Sequence, residues 1–244
     1  DTLSYAWAVT KNGNAYSTGT ASSFSFTPND NGSYVVSLTV SDNDGGSVVV
    51  SPETITVTNA APSLTVSGAP VNSIAEGTTV SLSSSVTDAG SADTVATYAW
   101  SVTKDGSAFT LPGGTNTASD TFSFVPTDNG SYEVTLVVTD DDGDSDSVTE
   151  TITVTNATPT AAVSGEPVGS IAEGTAINLS VTPSDAGSAD TFTYSWSVTK
   201  NGSVFALPGG TSIASSTLGF TPADNGTYVG SVIVTDDDGA EVTA

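Results

Sequence analysis

The chain has 244 residues, of which 27 are acidic and only three (Lys11, Lys104 and Lys200) are basic, for a formal net charge of −24. That balance excludes nucleic acids and anionic lipids as partners, because no basic patch exists to displace condensed counterions. Cysteine, histidine and methionine are absent, which excludes disulfides, thiol chemistry and soft-metal sites, and no apolar run approaches the ~20 residues of a membrane-spanning helix.

In chain order, Leu3, Tyr5, Trp7 and Val9 alternate with polar residues, the period-two signature of a half-buried strand. Lys11-Asn12-Gly13 reads as a hairpin turn. Phe24 and Phe26 suggest a second strand. Asp30-Asn31-Gly32-Ser33-Tyr34 then turns tightly into a third strand carrying Val36, Leu38 and Val40. Asp42-Asn43-Asp44-Gly45-Gly46 is another tight turn, and Val48 to Val57 a last strand.

From residue 59 the chain adds what the first stretch lacks. Leu64 and Val66 mark one strand, Glu76-Gly77 a turn, and Val80, Leu82 and Val86 another strand. An acidic loop from Asp88 to Asp93 leads to Tyr98-Ala99-Trp100, and from there the order repeats, with Leu111-Pro112-Gly113-Gly114 inserted. Asp128-Asn129-Gly130-Ser131-Tyr132 is the second copy of the tight turn, and Asp224-Asn225-Gly226-Thr227-Tyr228 the third. Trp7, Trp100 and Trp196 recur at the same spacing, roughly 95 residues, which is the size of one sandwich domain.

The expected fold is all-β: tandem immunoglobulin-like Greek-key β-sandwiches in an extended rod. Residues 1–58 form a partial repeat of C-terminal strands only, 59–155 a complete repeat, and 156–244 a repeat truncated in its last strand. A sandwich short of two strands leaves a hydrophobic face and open edges, so the stretch is expected to be an excerpt of a longer repetitive protein. Strand addition from a like chain is the alternative. The connections Thr58-Asn59-Ala60-Ala61-Pro62 and Thr155-Asn156-Ala157-Thr158-Pro159 are short and end in proline, which favours a stiff rod.

The D-x-G-x-Y turn opening a strand resembles the tyrosine corner of immunoglobulin-like domains. Together with Y-x-W and the D-x-D-G turn, it makes the chain similar to the PKD-type and related repeats of large bacterial surface proteins. After Trp100, however, the run is Ser101-Val102-Thr103-Lys104-Asp105-Gly106 in place of that family's usual W-D-F-G-D-G. The resemblance implies an extracellular spacer, adhesin or accessory module without catalysis.

Three sets of residues are candidates for function. Trp7, Trp100 and Trp196 are either core or sugar-stacking platforms, and the corner tyrosines Tyr34, Tyr132 and Tyr228 are structural. Strand parity and their repeat-equivalent positions favour core. The second set is carboxylates: Asp88, Asp93, Asp140, Asp141, Asp142 and Asp144 at the pole facing the preceding repeat, with Asp185, Asp190, Asp236, Asp237 and Asp238 as the third repeat's counterparts. Glu76 and Asp128 fall at the opposite pole, so two poles can meet at a junction and offer the six to eight oxygens that calcium prefers. Cadherin-like repeats resemble this arrangement. Alternatively, these residues are good turn chemistry and no more. The third set is the N-x-S/T acceptors Asn31, Asn129, Asn156, Asn178, Asn201 and Asn225, which fit a glycan-coated surface or simply Asn-Gly turns. The lysines, one per repeat on hairpin turns, are expected to be solvated.

The leading functional expectation is a structural or adhesive stalk, with neighbouring repeats or like chains as partners and calcium as the one cofactor. The alternative is a set of accessory ligand- or carbohydrate-binding modules in a secreted enzyme or adhesin.

Overall fold

A computed structural model describes residues 1–244 and contains strands and turns only. The first four strands, β1 (Leu3–Lys11), β2 (Asn14–Gly19), β3 (Gly32–Asp42) and β4 (Ser47–Val57), form one sheet in the order β2-β1-β3-β4. The middle unit is a two-sheet sandwich. One sheet holds β5 (Ser63–Ser67), β7 (Val80–Thr87) and β10 (Thr121–Phe124). The other holds β6 (Ile74–Ala75), β8 (Val95–Lys104), β9 (Ser107–Ala108), β11 (Gly130–Asp140) and β12 (Ser145–Thr155) in the order β6-β12-β11-β8-β9. The last unit repeats this plan. β13 (Thr160–Ser164), β14 (Ile177–Ser184) and β17 (Thr217–Phe220) form its small sheet, and β15 (Phe192–Lys200), β16 (Ser203–Val204), β18 (Tyr228–Asp236) and β19 (Glu241–Thr243) its large one.

The strand parity read from the sequence sets the core. On β11 the side chains of Tyr132, Val134, Leu136 and Val138 are buried, while Glu133, Val137 and their neighbours face outward. They pack with Trp100, Val102, Ile152 and Val154 of the same sheet against Leu64, Val80, Leu82, Phe122 and Phe124 of the other. The Trp100 ring stacks on Phe122 at 5.1 Å, and its indole N–H donates to the Ser119 carbonyl at 2.9 Å, so a large aromatic is buried with its polar atom satisfied. Trp196 repeats this arrangement with Ser215 at 2.8 Å. Trp7 donates to Ala21 but stays half-buried, because no second sheet faces β1 to β4.

The same absence corrects one expectation. Phe24 and Phe26 form no strand, although Phe122 and Phe124 do. The latter pair with β7, and the first unit has no counterpart of β7 to supply the ladder. The rings nevertheless stack with Trp7, at 5.9 Å from Phe24. The short strands β2, β9 and β16 were not anticipated from the sequence. Each is the return arm of the hairpin after a lysine.

Those hairpins position the site. Asn12, Asp105 and Asn201 adopt φ of +49°, each followed by a glycine at positive φ, the double left-handed turn that matches strand twist. Each turn docks on the neighbouring tyrosine corner. Asp105 Oδ1 accepts from the Ser131 N–H at 2.9 Å, while the Asp105 N–H donates to the Ser131 carbonyl at 2.8 Å. The corners close as in immunoglobulin-like domains, with the Tyr132 hydroxyl donating to the Asp128 carbonyl at 2.8 Å, Tyr34 to Asp30 at 2.9 Å and Tyr228 to Asp224 at 3.0 Å.

Candidate metal centres at the two domain junctions

Docking each hairpin on a corner brings a lysine to the first aspartate of the corner, which corrects the expectation that the lysines are solvated. Lys11 pairs with Asp30, Lys104 with Asp128, and Lys200 with Asp224 at 2.7 Å. The Asp30 carboxyl is held below its ordinary range by the Lys11 hydrogen bond, and Asp224 likewise by Lys200.

At the first junction the corner of the first unit meets the acidic loop and hairpin of the second. The Ala92 N–H donates across it to the Asn29 carbonyl at 2.9 Å. Carboxylate oxygens of Asp30, Asp93 and Asp142 then lie within 4.8 Å of one another. At the second junction Ala189 makes the equivalent bond to Thr127 at 3.0 Å, and Asp128, Asp190 and Asp238 form the equivalent cluster. Glu76 adds a further cluster with Asp185 and Asp190.

Glu76 is carried there by the edge pairing of β6 with β12, extended by its own N–H to the Thr155 carbonyl at 3.1 Å. Its side chain is 1% exposed, with Oε1 accepting from the Ala157 N–H at 2.6 Å and Oε2 accepting from nothing. Its repeat counterpart Glu173, with no unit packed over it, is exposed. The junction itself therefore buries this carboxylate.

Five of the acidic residues expected to face the junctions have other work. Asp140, 3% exposed, accepts on Oδ1 from the N–H groups of Asp142 and Asp144 and on Oδ2 from Asn59. Burial opposes its ionisation, but those bonds outweigh it and hold the carboxyl below its ordinary range. Asp236 occupies the matching cap, accepting on Oδ1 from the Ala240 N–H and on Oδ2 from the Asn156 amide. Asp141 and Asp237 pin the acidic loops by accepting from the N–H groups of Thr94 and Thr191, and Asp144 accepts from Asn59. These five are turn caps and linker clamps. Asp88, Asp93, Asp142, Asp185, Asp190, Asp238 and Glu76 remain at the junctions, joined by Asp30, which sequence reasoning missed, and by Asp128.

The polar accounting is one-sided. The buried side-chain atoms without a hydrogen-bond partner are one oxygen each of Asp30, Asn59, Asp88 and Asp93 at the first junction, and of Glu76, Asn156 and Asp185, with both of Asp190, at the second. Every one is an oxygen acceptor. A cavity of about 140 Å³ at the first junction is lined by Asp30, Asn59, Gly90 and Asp93. Glycine keeps this space open. A Cβ on Gly187 would lie 2.6 Å from Asp190 and from Glu76, and one on Gly90 only 1.9 Å from Asp93.

Like charges packed without donors raise their own pKa. Burial first, then Glu76 and Asp185, push the Asp190 carboxyl up to about 6, and Glu76 and Asp93 are raised in the same way, burial leading. In the unfolded chain an aspartate titrates near 3.9, so the folded state binds the proton more tightly and its stability falls as pH rises through that window. In the presence of a chelator, the wild type is expected to lose stability between about pH 4 and pH 6 relative to Asp190→Asn. Carboxyls held low, such as Asp140, act only below about pH 4. Parallel stability profiles of the two proteins would contradict this assignment.

Among the glycosylation acceptors, Asn156 is engaged by Asp236, and Asn201 accepts from the Thr227 N–H within its turn. Asn178 and Asn225 are exposed, and Asn31 and Asn129 are half-buried in their corners.

Residues 59–155 match the family described as the PKD domain. No curated protein matches the sequence. Solved structures similar to the chain include the fibronectin(III)-like modules of Clostridium thermocellum CbhA, at 17% identity over 75% of this chain and 90% of that one, TM-score 0.30. The three N-terminal domains of the outer capsid protein Hoc of bacteriophage RB49 are 20% identical over 100% of this chain and 86% of theirs, TM-score 0.30. The Yersinia pseudotuberculosis adhesin InvE is 19% identical over 75% and 57%, TM-score 0.33. The middle repeat matches the PKD family, and the units on either side repeat its large-sheet strands, corner and turns, so the chain is a tandem of immunoglobulin-like β repeats, the first with a single sheet and the other two as two-sheet sandwiches.

Proposed function

We propose that this chain is a segment of an extracellular stalk or fibre, non-catalytic, whose repeats are locked end to end by calcium at the junctions. One observation carries the reading: the buried, donor-less polar side-chain atoms are all oxygens, and all lie where two repeats meet. A buried acceptor without a donor costs about 1–3 kcal/mol, more when charged, and a cation is the ligand that satisfies several at once. The donor set is carboxylate and amide oxygen alone, which suits a hard ion. Calcium accepts six to eight oxygens in irregular geometry, whereas magnesium demands a near-ideal octahedron.

The mechanical consequence follows from where the ligands sit. Asp30 and Asp93 belong to different repeats, as do Glu76 and Asp190, so an ion held by both members of such a pair resists bending. The linkers contribute through Asn59 and Asn156, each clamped by its amide nitrogen to the capping aspartate of the next repeat while its oxygen faces the junction unpaired.

Small-angle scattering tests this reading. In calcium the particle is expected to be an extended rod with a well-defined maximum dimension; in chelator at equal ionic strength the distribution of lengths broadens and shortens. Gly187→Ala and Gly90→Ala, which fill the cation space, should show the chelator profile even in calcium. Identical curves in both conditions would contradict the proposal.

A further inference from the structure

We infer that the second junction holds a pair of divalent cations bridged by Asp190, an inference that rests on the calcium reading above. Asp190 is shared by the two clusters at this junction, with Glu76 and Asp185 on one side and Asp128 and Asp238 on the other. Both of its carboxyl oxygens are buried and neither accepts a hydrogen bond, so one is free for each cluster. A carboxylate serving a single ion in a protein site commonly has its other oxygen hydrogen-bonded, as Glu76 has through Ala157 and Asp185 through the Ala186 and Gly187 N–H groups.

Two independent features point to a ligand in the inner cluster. Glu76 is almost wholly buried, yet its Oε2 faces Asp185 and Asp190 with no donor. Gly187 leaves bare the one position where any Cβ would collide with both Asp190 and Glu76. The charge balance agrees. Glu76, Asp128, Asp185, Asp190 and Asp238 with the Lys104 ammonium leave four negative charges, which two divalent ions neutralise and one does not. At the first junction Asp30, Asp88, Asp93 and Asp142 with Lys11 leave three, and no counterpart of Glu76 completes an inner cluster there, so one ion is assigned to it.

The two ions are not equivalent. The inner one is enclosed by Glu76, Asp185 and Asp190. The outer one has the exposed Asp238 and shares Asp128 with the Lys104 ammonium, a built-in competitor for the same carboxylate. The inner ion binds more tightly, and the outer one is the more sensitive to ionic strength.

Counting bound calcium tests this directly. Equilibrium dialysis of the whole chain against calcium chloride at about 1 mM, the range of extracellular modules, with atomic emission readout, is expected to give three ions per chain. Glu76→Gln keeps the acceptor for Ala157 and should bind two; Asp190→Asn should bind one; Asp93→Asn should bind two. Circular dichroism confirms that each variant retains its strands, and Asp185→Asn stands in for any that does not, with two ions expected. Loss of a single ion in Asp190→Asn, or no loss in Glu76→Gln, would overturn the bridged pair while leaving a calcium junction intact. A wild-type chain that binds no calcium would overturn the functional reading as well.

Discussion

Replacing Trp100 with alanine is expected to destabilise the middle repeat by about 3–5 kcal/mol, the cost of removing a large aromatic from a packed core. The residue is 5% exposed, stacked on Phe122, and fixed at its indole nitrogen by Ser119. Truncation therefore leaves a cavity between the two sheets and an unpaired carbonyl beside it. For a domain of this size the melting midpoint should fall by more than about 12 °C. Trp7→Ala supplies the internal comparison: the same residue type sits half-buried on a sheet with no partner, so its loss should cost much less. Calorimetry of both variants distinguishes core tryptophans from binding platforms. A Trp100→Ala protein of unchanged stability that had lost affinity for a glycan would promote the accessory-module reading.

The fold was legible because its determinants are local. Period-two alternation in Tyr132, Val134, Leu136 and Val138 needs only the pleat of one strand. The D-N-G-x-Y corner needs only five residues and a hydroxyl that reaches back four positions. Pairing partners are not local, and there the sequence misled. Phe24 and Phe26 have the composition of Phe122 and Phe124, but a strand requires a neighbour to bond to, and only the latter have one.

The junctions were legible in outline and misread in detail for the same reason. Runs such as Asp140-Asp141-Asp142 look like equivalent ligands. In three dimensions the first curls back to cap its own turn, the second pins the adjacent loop, and only the third reaches the junction cluster. Conversely, Asp30 reads from the sequence as a turn residue alone, because the corner already explains it. The corner employs only its backbone carbonyl, so one carboxylate oxygen pairs with Lys11 and the other is left without a donor at the junction. Asn156 stood out as a glycosylation acceptor, while the pairing of its nitrogen with Asp236 makes it a linker clamp. The lysines pair because the hairpin docks on the corner, a contact between segments about 20 residues apart that no local pattern announces.

The central claim is that the orphaned oxygens between repeats are a cation site that couples neighbouring repeats. Without a cation, Glu76, Asp185 and Asp190 repel one another in a buried space, and that repulsion is stored in the folded state. A ligand that binds only the folded junction stabilises it by mass action, about 2.7 kcal/mol for each site at a hundredfold excess over its dissociation constant. The most direct measurement is scanning calorimetry in calcium and in chelator at fixed ionic strength, with Gly187→Ala as the control that closes the site. The account predicts that calcium raises the melting transition of the wild type and brings those of the middle and last repeats together, while Gly187→Ala shows neither effect. A wild-type transition that is the same in calcium and in chelator would contradict it.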